Sequence, residues 1–137
     1  MYKIVDHVIK VSVRNLVEFI LRSGNIDNTQ VTTADADAMQ EGSRIHRKIQ
    51  KRMGSEYQAE VPLSITVPAF SLDEDYTLCV EGRADGIIHT SKLNEDNNLY
   101  ENVVIIDEIK AIYMELSFLK EASPVHLAQA MCYAYIT

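Results

Sequence analysis

The stretch Val103-Val104-Ile105-Ile106-Asp107-Glu108-Ile109-Lys110 decides the fold that this sequence predicts. Its four consecutive apolar residues predict a β-strand covered on both faces, as in the middle of an α/β layer. In such a strand Glu108 and Lys110 project from the same face, about 7 Å apart. Burying a carboxylate and an ammonium at the end of a strand costs free energy, so such groups are expected to be paired or to serve a function. The pattern therefore fits either a solvated ion pair where the strand leaves the core or a reactive pair.

Three helices are predicted, two before this strand in the chain and one after it. Ser12 can cap a first helix with apolar residues at helical spacing, and Gly24 is its expected end. A long second helix is predicted over residues 33–54. Ser123 and Pro124 are typical of the start of a last helix, which runs to Ile136.

The strands between the helices are predicted from alternation of apolar and polar residues. Residues 57–67 alternate with period two, which is typical of a half-buried strand. Further strands are predicted over residues 76–80 and 84–89, and a polar surface loop over residues 91–98. Together with the strand at 103–106, these elements predict an α/β or α+β layer with the last helix packed on the sheet.

Composition limits the class of protein. A chain of 137 residues with 47% apolar and 24% charged residues predicts one globular domain, spanning residues 1–137. No apolar run approaches the ~18 residues of a membrane span, so we expect no membrane partner. Only two cysteines, Cys79 and Cys132, argue against a disulfide framework and favour a cytoplasmic location. The net charge of −7 argues against a protein that coats nucleic acid nonspecifically, because such a protein needs a positively charged surface.

Asp85 is a candidate metal ligand. It lies in the segment GRADGI, residues 82–87, where one cation could bridge it to Glu108. The simpler interpretation is a turn, because Asp-Gly is a common pair between two strands. The segment alone favours the turn.

His46 is a second candidate on the long helix. At about 100° per residue it shares one stripe with Met39, Gly42, Ile49 and Met53, and therefore points inward. A histidine on an apolar stripe is also compatible with a hydrogen-bonded core residue. The basic side chains of the helix lie almost opposite this stripe, which predicts a solvated or partner-binding face: Arg44, Arg47, Lys48, Lys51 and Arg52.

The last helix carries polar groups on one face. Gln129 and Tyr133 are four residues apart and stack together, and His126 lies one turn earlier. Since this helix must pack against a sheet, its hydrogen-bonding groups suggest a polar pocket. An ordinary amphipathic helix with a wet edge is the alternative.

The order of these motifs resembles the PD-(D/E)XK nuclease superfamily, in particular its RecB-like subgroup, which includes exonucleases of CRISPR adaptation. Gly-x-x-x-His, Gly-x-x-Asp, an apolar strand with Asp-Glu-Ile-Lys, and Gln-x-x-x-Tyr follow one another from Gly42 to Tyr133. The segments GSRIHRKIQ and VEGRADG further resemble the N-terminal nuclease module of bacterial DinG/XPD-like ATP-dependent DNA helicases. Two features depart from the pattern: Ala84 stands where the superfamily has its proline, and two cysteines cannot form the four-cysteine iron–sulfur cluster of some relatives.

This resemblance implies a restriction-endonuclease-like core, a central mixed β-sheet flanked by helices, and an active site within it. The implied ligands of Mg²⁺ or Mn²⁺ are His46, Asp85, Glu108 and the backbone carbonyl of Ile109. The implied catalytic residues are Asp85, Glu108, Lys110, Gln129 and Tyr133. Lys110 would position or activate the attacking water, while Gln129 and Tyr133 would hold the lysine or a DNA phosphate. Glu60, on the first of the predicted strands, is a possible fifth pocket residue or simply faces water.

The expected function is metal-dependent hydrolysis of DNA, of the exonuclease type, in DNA repair or processing. The alternative is a non-cleaving DNA-binding or regulatory module that keeps the nuclease fold. The last helix reaches Thr137 without a stop signal. We therefore expect a longer polypeptide in which a helicase motor follows this module and DNA is the shared partner.

Overall fold

The computed structural model describes residues 3–22, 33–70, 75–112 and 115–137. Within these ranges the chain forms five strands and three α-helices, with a short 3-10 turn before the last helix. In chain order they are β1 (Lys3–Val5), β2 (Val8–Ser12), α1 (Val13–Ile20), α2 (Thr33–Arg52), β3 (Tyr57–Phe70), β4 (Asp75–Asn94), β5 (Leu99–Asp107), the turn Leu116–Phe118 and α3 (Pro124–Ile136).

The five strands form one mixed sheet built around β4. Strand β3 pairs antiparallel with β4 along one side. On the other side, β2 runs parallel to β4 at residues 77–81, and β5 runs antiparallel to it at residues 86–94. Strand β1 adds an antiparallel edge to β2. Residues 82–85 of β4 lie between these two paired segments, and neither β2 nor β5 pairs with them.

The prediction of an α/β domain with a mixed sheet and flanking helices is confirmed at this level. Two details of the strands were wrong. Residues 76–80 and 84–89 belong to one continuous strand, β4, which also extends to Asn94 into the predicted loop. Residues 82–84 and 86 in its middle remain in the strand because β3 pairs with them, as in the pairs Leu63 with Gly82 and Pro62 with Arg83. The turn interpretation of Asp85-Gly86 is therefore wrong as well.

Strand β5 is less covered than predicted. Val104 is 42% exposed and Ile105 is 45% exposed. Since β5 pairs only with β4 among the described strands, it is an edge strand and its apolar run is not enclosed. The strand also ends at Asp107, so that Glu108 and Lys110 follow it instead of alternating within it.

The helix starts were predicted correctly. The Ser12 hydroxyl accepts a hydrogen bond from the Asn15 amide at 3.1 Å, and the Ser123 hydroxyl accepts one from the His126 amide at 3.3 Å. Such caps satisfy amide groups that have no partner within the helix. The predicted end of α1 at Gly24 lies outside the described residues, and the helix itself ends at Ile20.

Helices α1 and α3 enclose the core against β4. The buried side chains of the core are Val13, Val17, Val80, Ala84, Ile87 and Tyr133. Burying these apolar surfaces is the main stabilising contribution to this layer. In the part of the chain that the structure describes, no helix is long and apolar enough to span a membrane.

Strand β3 forms a long outer edge of the sheet. It has 14 residues and pairs with β4 alone among the described strands. Two prolines, Pro62 and Pro68, lie within it and are in register with Arg83 and Thr77.

Candidate active site

The candidate site lies at an interruption of the sheet around Asp85. On one side, the β3–β4 pairing includes Ala59 with Gly86 and Val61 with Ala84, but skips Glu60 and Asp85. Glu60 has a left-handed backbone, with φ of 55°. On the other side, the pairing with β5 begins only at Gly86. A left-handed backbone at a non-glycine residue is uncommon and is frequent at functional sites. We call the pair Glu60 and Asp85 the register break.

The Asp85 carboxylate joins the end of β5 to helix α2. Its Oδ2 accepts a hydrogen bond of 2.7 Å from the Ile109 backbone amide. Its Oδ1 lies 3.5 Å from His46 Nδ1. The predicted residues His46, Asp85 and Ile109 are therefore neighbours, and His46 is not isolated in an apolar core.

Glu108 lies directly after β5 and is nearly buried. Its side chain is 10% exposed, and its Oε1 is 3.0 Å from Lys110 Nζ. Its Oε2 is buried and has no hydrogen-bond partner among the described residues. Burial raises the pKa of the Glu108 carboxyl, and the negative charge of Asp85 adds to this, while the Lys110 ammonium opposes it. The predicted pairing of Glu108 with Lys110 is present, although it is made beyond the strand.

Gln129 and Tyr133 lie on the buried face of α3, as predicted. The Gln129 Oε1 is buried and has no hydrogen-bond partner within the described ranges. The Tyr133 hydroxyl lies against Gly82, where an added Cβ would come within 2.7 Å of it. Burial raises the pKa of Tyr133, as does the nearby charge of Glu108, and a hydrogen bond from the Arg83 backbone opposes the shift. Tyr133 thus packs against Gly82 and Arg83, which belong to the segment of β4 that pairs with neither β2 nor β5.

Sequence reasoning missed Gln50. Its Nε2 donates two hydrogen bonds of 2.9 Å, one to Glu60 Oε1 and one to the Asp85 backbone carbonyl. The available signal was its spacing, because Gln50 is one helical turn after His46 and so lies on the same face.

A second missed group is the pair of Tyr57 and Asp107. The Tyr57 hydroxyl donates a 2.9 Å hydrogen bond to Asp107 Oδ2. The ring crosses the backbone of Gly86, and a Cβ added there would overlap the ring atoms. Burial raises the pKa of Tyr57, and the bond to the Asp107 carboxylate raises it further. This pair ties β3 to the last residue of β5, immediately before Glu108.

Helix α2 presents its basic face to solvent. The side chains on it are exposed, and the only ion pair that this face forms among the described residues joins Arg44 to Glu41. The predicted inward stripe is only partly buried: His46 and Gly42 are half-buried, whereas Met39 is 70% exposed. The contacts of α2 with the sheet include polar ones, made by His46 with Asp85 and by Gln50 with Glu60 and Asp85.

The donors around Asp85 suit a hard divalent cation. Carboxylate and carbonyl oxygens are preferred by Mg²⁺, and an imidazole is compatible with Mn²⁺. Two ligands of one such cation lie roughly 3 Å apart, close to the separation of His46 and Asp85. The unpartnered Glu108 Oε2 is an available acceptor. The residues therefore fit the ion in chemistry, although no three His, Cys, Asp or Glu side chains in the described ranges form a ready-made metal cluster.

Comparison with protein-family models, curated proteins and solved structures finds no match for this chain. The nuclease resemblance therefore stays a prediction from the motifs, and so do the roles of the individual residues.

Proposed function

We propose that this chain is a divalent-metal-dependent DNA nuclease. One observation carries the proposal: the Asp85 carboxylate lies between the His46 imidazole and the Ile109 amide at the register break. The Glu108 carboxylate that follows β5 keeps one buried oxygen without a partner. An imidazole from α2 and a carboxylate from β4 therefore lie next to each other at a residue of β4 that pairs with none of its neighbouring strands.

The charges of these groups suit phosphodiester hydrolysis. Two carboxylates alone repel a phosphate, so the pocket requires a cation to accept this substrate. When bound, Mg²⁺ or Mn²⁺ would polarise the phosphoryl oxygen and stabilise the charge that develops on it. His46, Asp85, Glu108 and the Ile109 carbonyl would hold the ion. Lys110, held 3.0 Å from Glu108, would orient the attacking water.

The finer parts of the proposal rest on the motif resemblance. We place the chain with RecB-like nucleases that have a restriction-endonuclease-like core, as an exonuclease module attached to a DNA helicase motor. The net charge of −7 supports the tethered arrangement, because such a module attracts DNA weakly by itself. A comparison of this chain and the full-length parent at matched salt tests it, and equal DNA affinities would contradict it.

The experiment is a titration of Mg²⁺ and Mn²⁺ with labelled single- and double-stranded DNA. We expect cleavage that requires the metal and is abolished by Asp85→Asn. Lys110→Ala should keep the fold and lower cleavage by at least ~10², the scale of a lost catalytic group. Lys92→Ala, at an exposed position of β4, is the matched control.

Three outcomes separate the functions. Metal-dependent cleavage that Lys110→Ala lowers supports the nuclease. DNA binding without cleavage under either metal supports the non-cleaving module. Cleavage that is the same in wild type, Asp85→Asn and Lys110→Ala shows that it does not come from this site.

A further inference from the structure

We infer that Gln50 is a positioning residue, which anchors helix α2 to the register break and thereby sets the approach of His46 to Asp85. The inference rests on the proposed function only for its effect on metal binding. The anchoring itself is a property of the metal-free chain.

The first argument concerns the Asp85 backbone carbonyl. Buried or half-buried carbonyl groups need a hydrogen-bond donor, and a strand normally receives it from a neighbouring strand. Asp85 is skipped in the pairing with β3 and lies outside the pairing with β2 and β5. The donor comes instead from the side chain of Gln50, at 2.9 Å.

The second argument concerns Glu60. The same Gln50 Nε2 donates to Glu60 Oε1 at 2.9 Å, while Arg83 Nη1 lies 3.8 Å from the other oxygen of that carboxylate. Glu60 is the residue with the left-handed backbone. One amide nitrogen thus binds both members of the register break, which couples the position of α2 to the local shape of the two strands.

The third argument is the spacing on α2. Residues four apart on a helix lie one above the other, about 5–6 Å between their Cβ atoms. Gln50 therefore fixes the same face that carries His46, and the His46 imidazole lies 3.5 Å from the Asp85 carboxylate. A rotation of α2 that releases the Gln50 bonds also moves His46 away from Asp85.

The first test measures Mn²⁺ binding to the full chain by calorimetry. Loss of a group that orients metal ligands typically weakens metal affinity by about 10- to 100-fold, and we expect this for Gln50→Ala. Cleavage by this variant should fall at low Mn²⁺ and recover largely at saturating Mn²⁺. Gln40→Ala, at an exposed position of the same helix, is the control and should bind Mn²⁺ like wild type.

Two further variants separate hydrogen-bond donation from charge. Gln50→Glu keeps the shape but cannot donate to Glu60 or to the Asp85 carbonyl, whereas Gln50→Lys is a different shape that can donate to both. If only charge mattered, the added carboxylate would tighten Mn²⁺ binding and the added ammonium would weaken it. We expect the reverse order, with Gln50→Lys binding Mn²⁺ more tightly than Gln50→Glu. Tighter binding by Gln50→Glu would overturn the inference.

The second test needs no metal. Amide hydrogen exchange of residues 44–50, measured by NMR on the metal-free chain, should be faster in Gln50→Ala than in wild type and Gln40→Ala. Equal exchange in all three proteins would overturn the anchoring. If wild type itself binds no Mn²⁺ and cuts no DNA, the proposed function fails, and hydrogen exchange alone then decides whether Gln50 anchors α2.

Discussion

Tyr133 of α3 packs directly against the sheet at Gly82, and replacing this glycine should destabilise the fold. A Cβ at position 82 would lie 2.7 Å from the Tyr133 Oη and 2.8 Å from its Cε1. Carbon atoms in contact prefer about 3.5–4.0 Å, so the Tyr133 ring would have to move by about 0.7 Å. Tyr133 is only 5% exposed and packs in the core, which leaves little room for that movement.

The expected cost of Gly82→Ala follows from these distances. Overpacking of a core costs about 1–3 kcal/mol, and disturbing the hydrogen bond from the Arg83 backbone adds about 1 kcal/mol. Replacing a strand glycine by alanine returns about 0.5–1 kcal/mol. We expect a net loss of about 2 kcal/mol in the free energy of unfolding, or a melting temperature lower by about 8 °C.

The assay is urea unfolding followed by far-UV circular dichroism, since the chain has no tryptophan. The control is Gly54→Ala, because a Cβ there has no atom within 4 Å. In a Tyr133→Leu background, which removes the ring, Gly82→Ala should be neutral or stabilising. If Gly82→Ala costs the same in both backgrounds, to within about 0.5 kcal/mol, the clash with Tyr133 is not its cause.

Three further outcomes are expected. Gly42→Ala should raise the free energy of unfolding by about 0.5–1 kcal/mol in urea titrations, because alanine favours a helix more than glycine does. The new Cβ would lie 3.8 Å from the Ala111 Cβ, an ordinary contact distance. A loss of stability would show that the site needs a glycine there. Ser123→Ala should cost about 1 kcal/mol in the same titration through the lost cap of α3, and an unchanged midpoint would contradict the capping role. Burial, with the nearby charges of Lys110 and Arg14, lowers the pKa of His126 from its ordinary 6.5. The folded state therefore binds this proton less well than the unfolded state, and stability should fall as the pH drops below about 6.5. Unfolding free energies measured between pH 7 and 5 should show a smaller fall in His126→Gln, and identical pH profiles would refute the assignment.

Features that depend on neighbours in the chain could be predicted from the sequence. The caps at Ser12 and Ser123 and the alternation that begins at Tyr57 are local patterns, and the structure has helices and a strand at these positions. The continuity of β4 is different, because residues 82–84 and 86 in its middle stay extended through pairing with β3. No local pattern around Asp85 and Gly86 reports that distant partner.

The same distinction applies to the site. The resemblance implied that His46, Asp85, Glu108 and the Ile109 carbonyl hold one metal ion, which stays a prediction. The structure places the His46 imidazole and the Ile109 amide beside the Asp85 carboxylate. Gln50 and the pair of Tyr57 and Asp107 are absent from the prediction because no motif of the resemblance assigns them a role, although Gln50 lies one turn after His46; their hydrogen bonds reach partners as far as 35 and 50 residues away in the chain. Only the folded sheet shows that these side chains complete the surroundings of Asp85.

The two prolines of β3 affect the tendency of the protein to self-associate through this strand. Strand β3 has 14 residues, and no other strand of the described residues pairs with its outer edge. Such an edge is a ready template for a strand from another molecule. A proline fits within a paired strand only where its nitrogen faces away from the partner, so Pro62 and Pro68 must turn theirs towards the open edge. That edge therefore lacks two of the amide donors that an incoming strand would need. The two prolines therefore protect β3 from edge-to-edge aggregation.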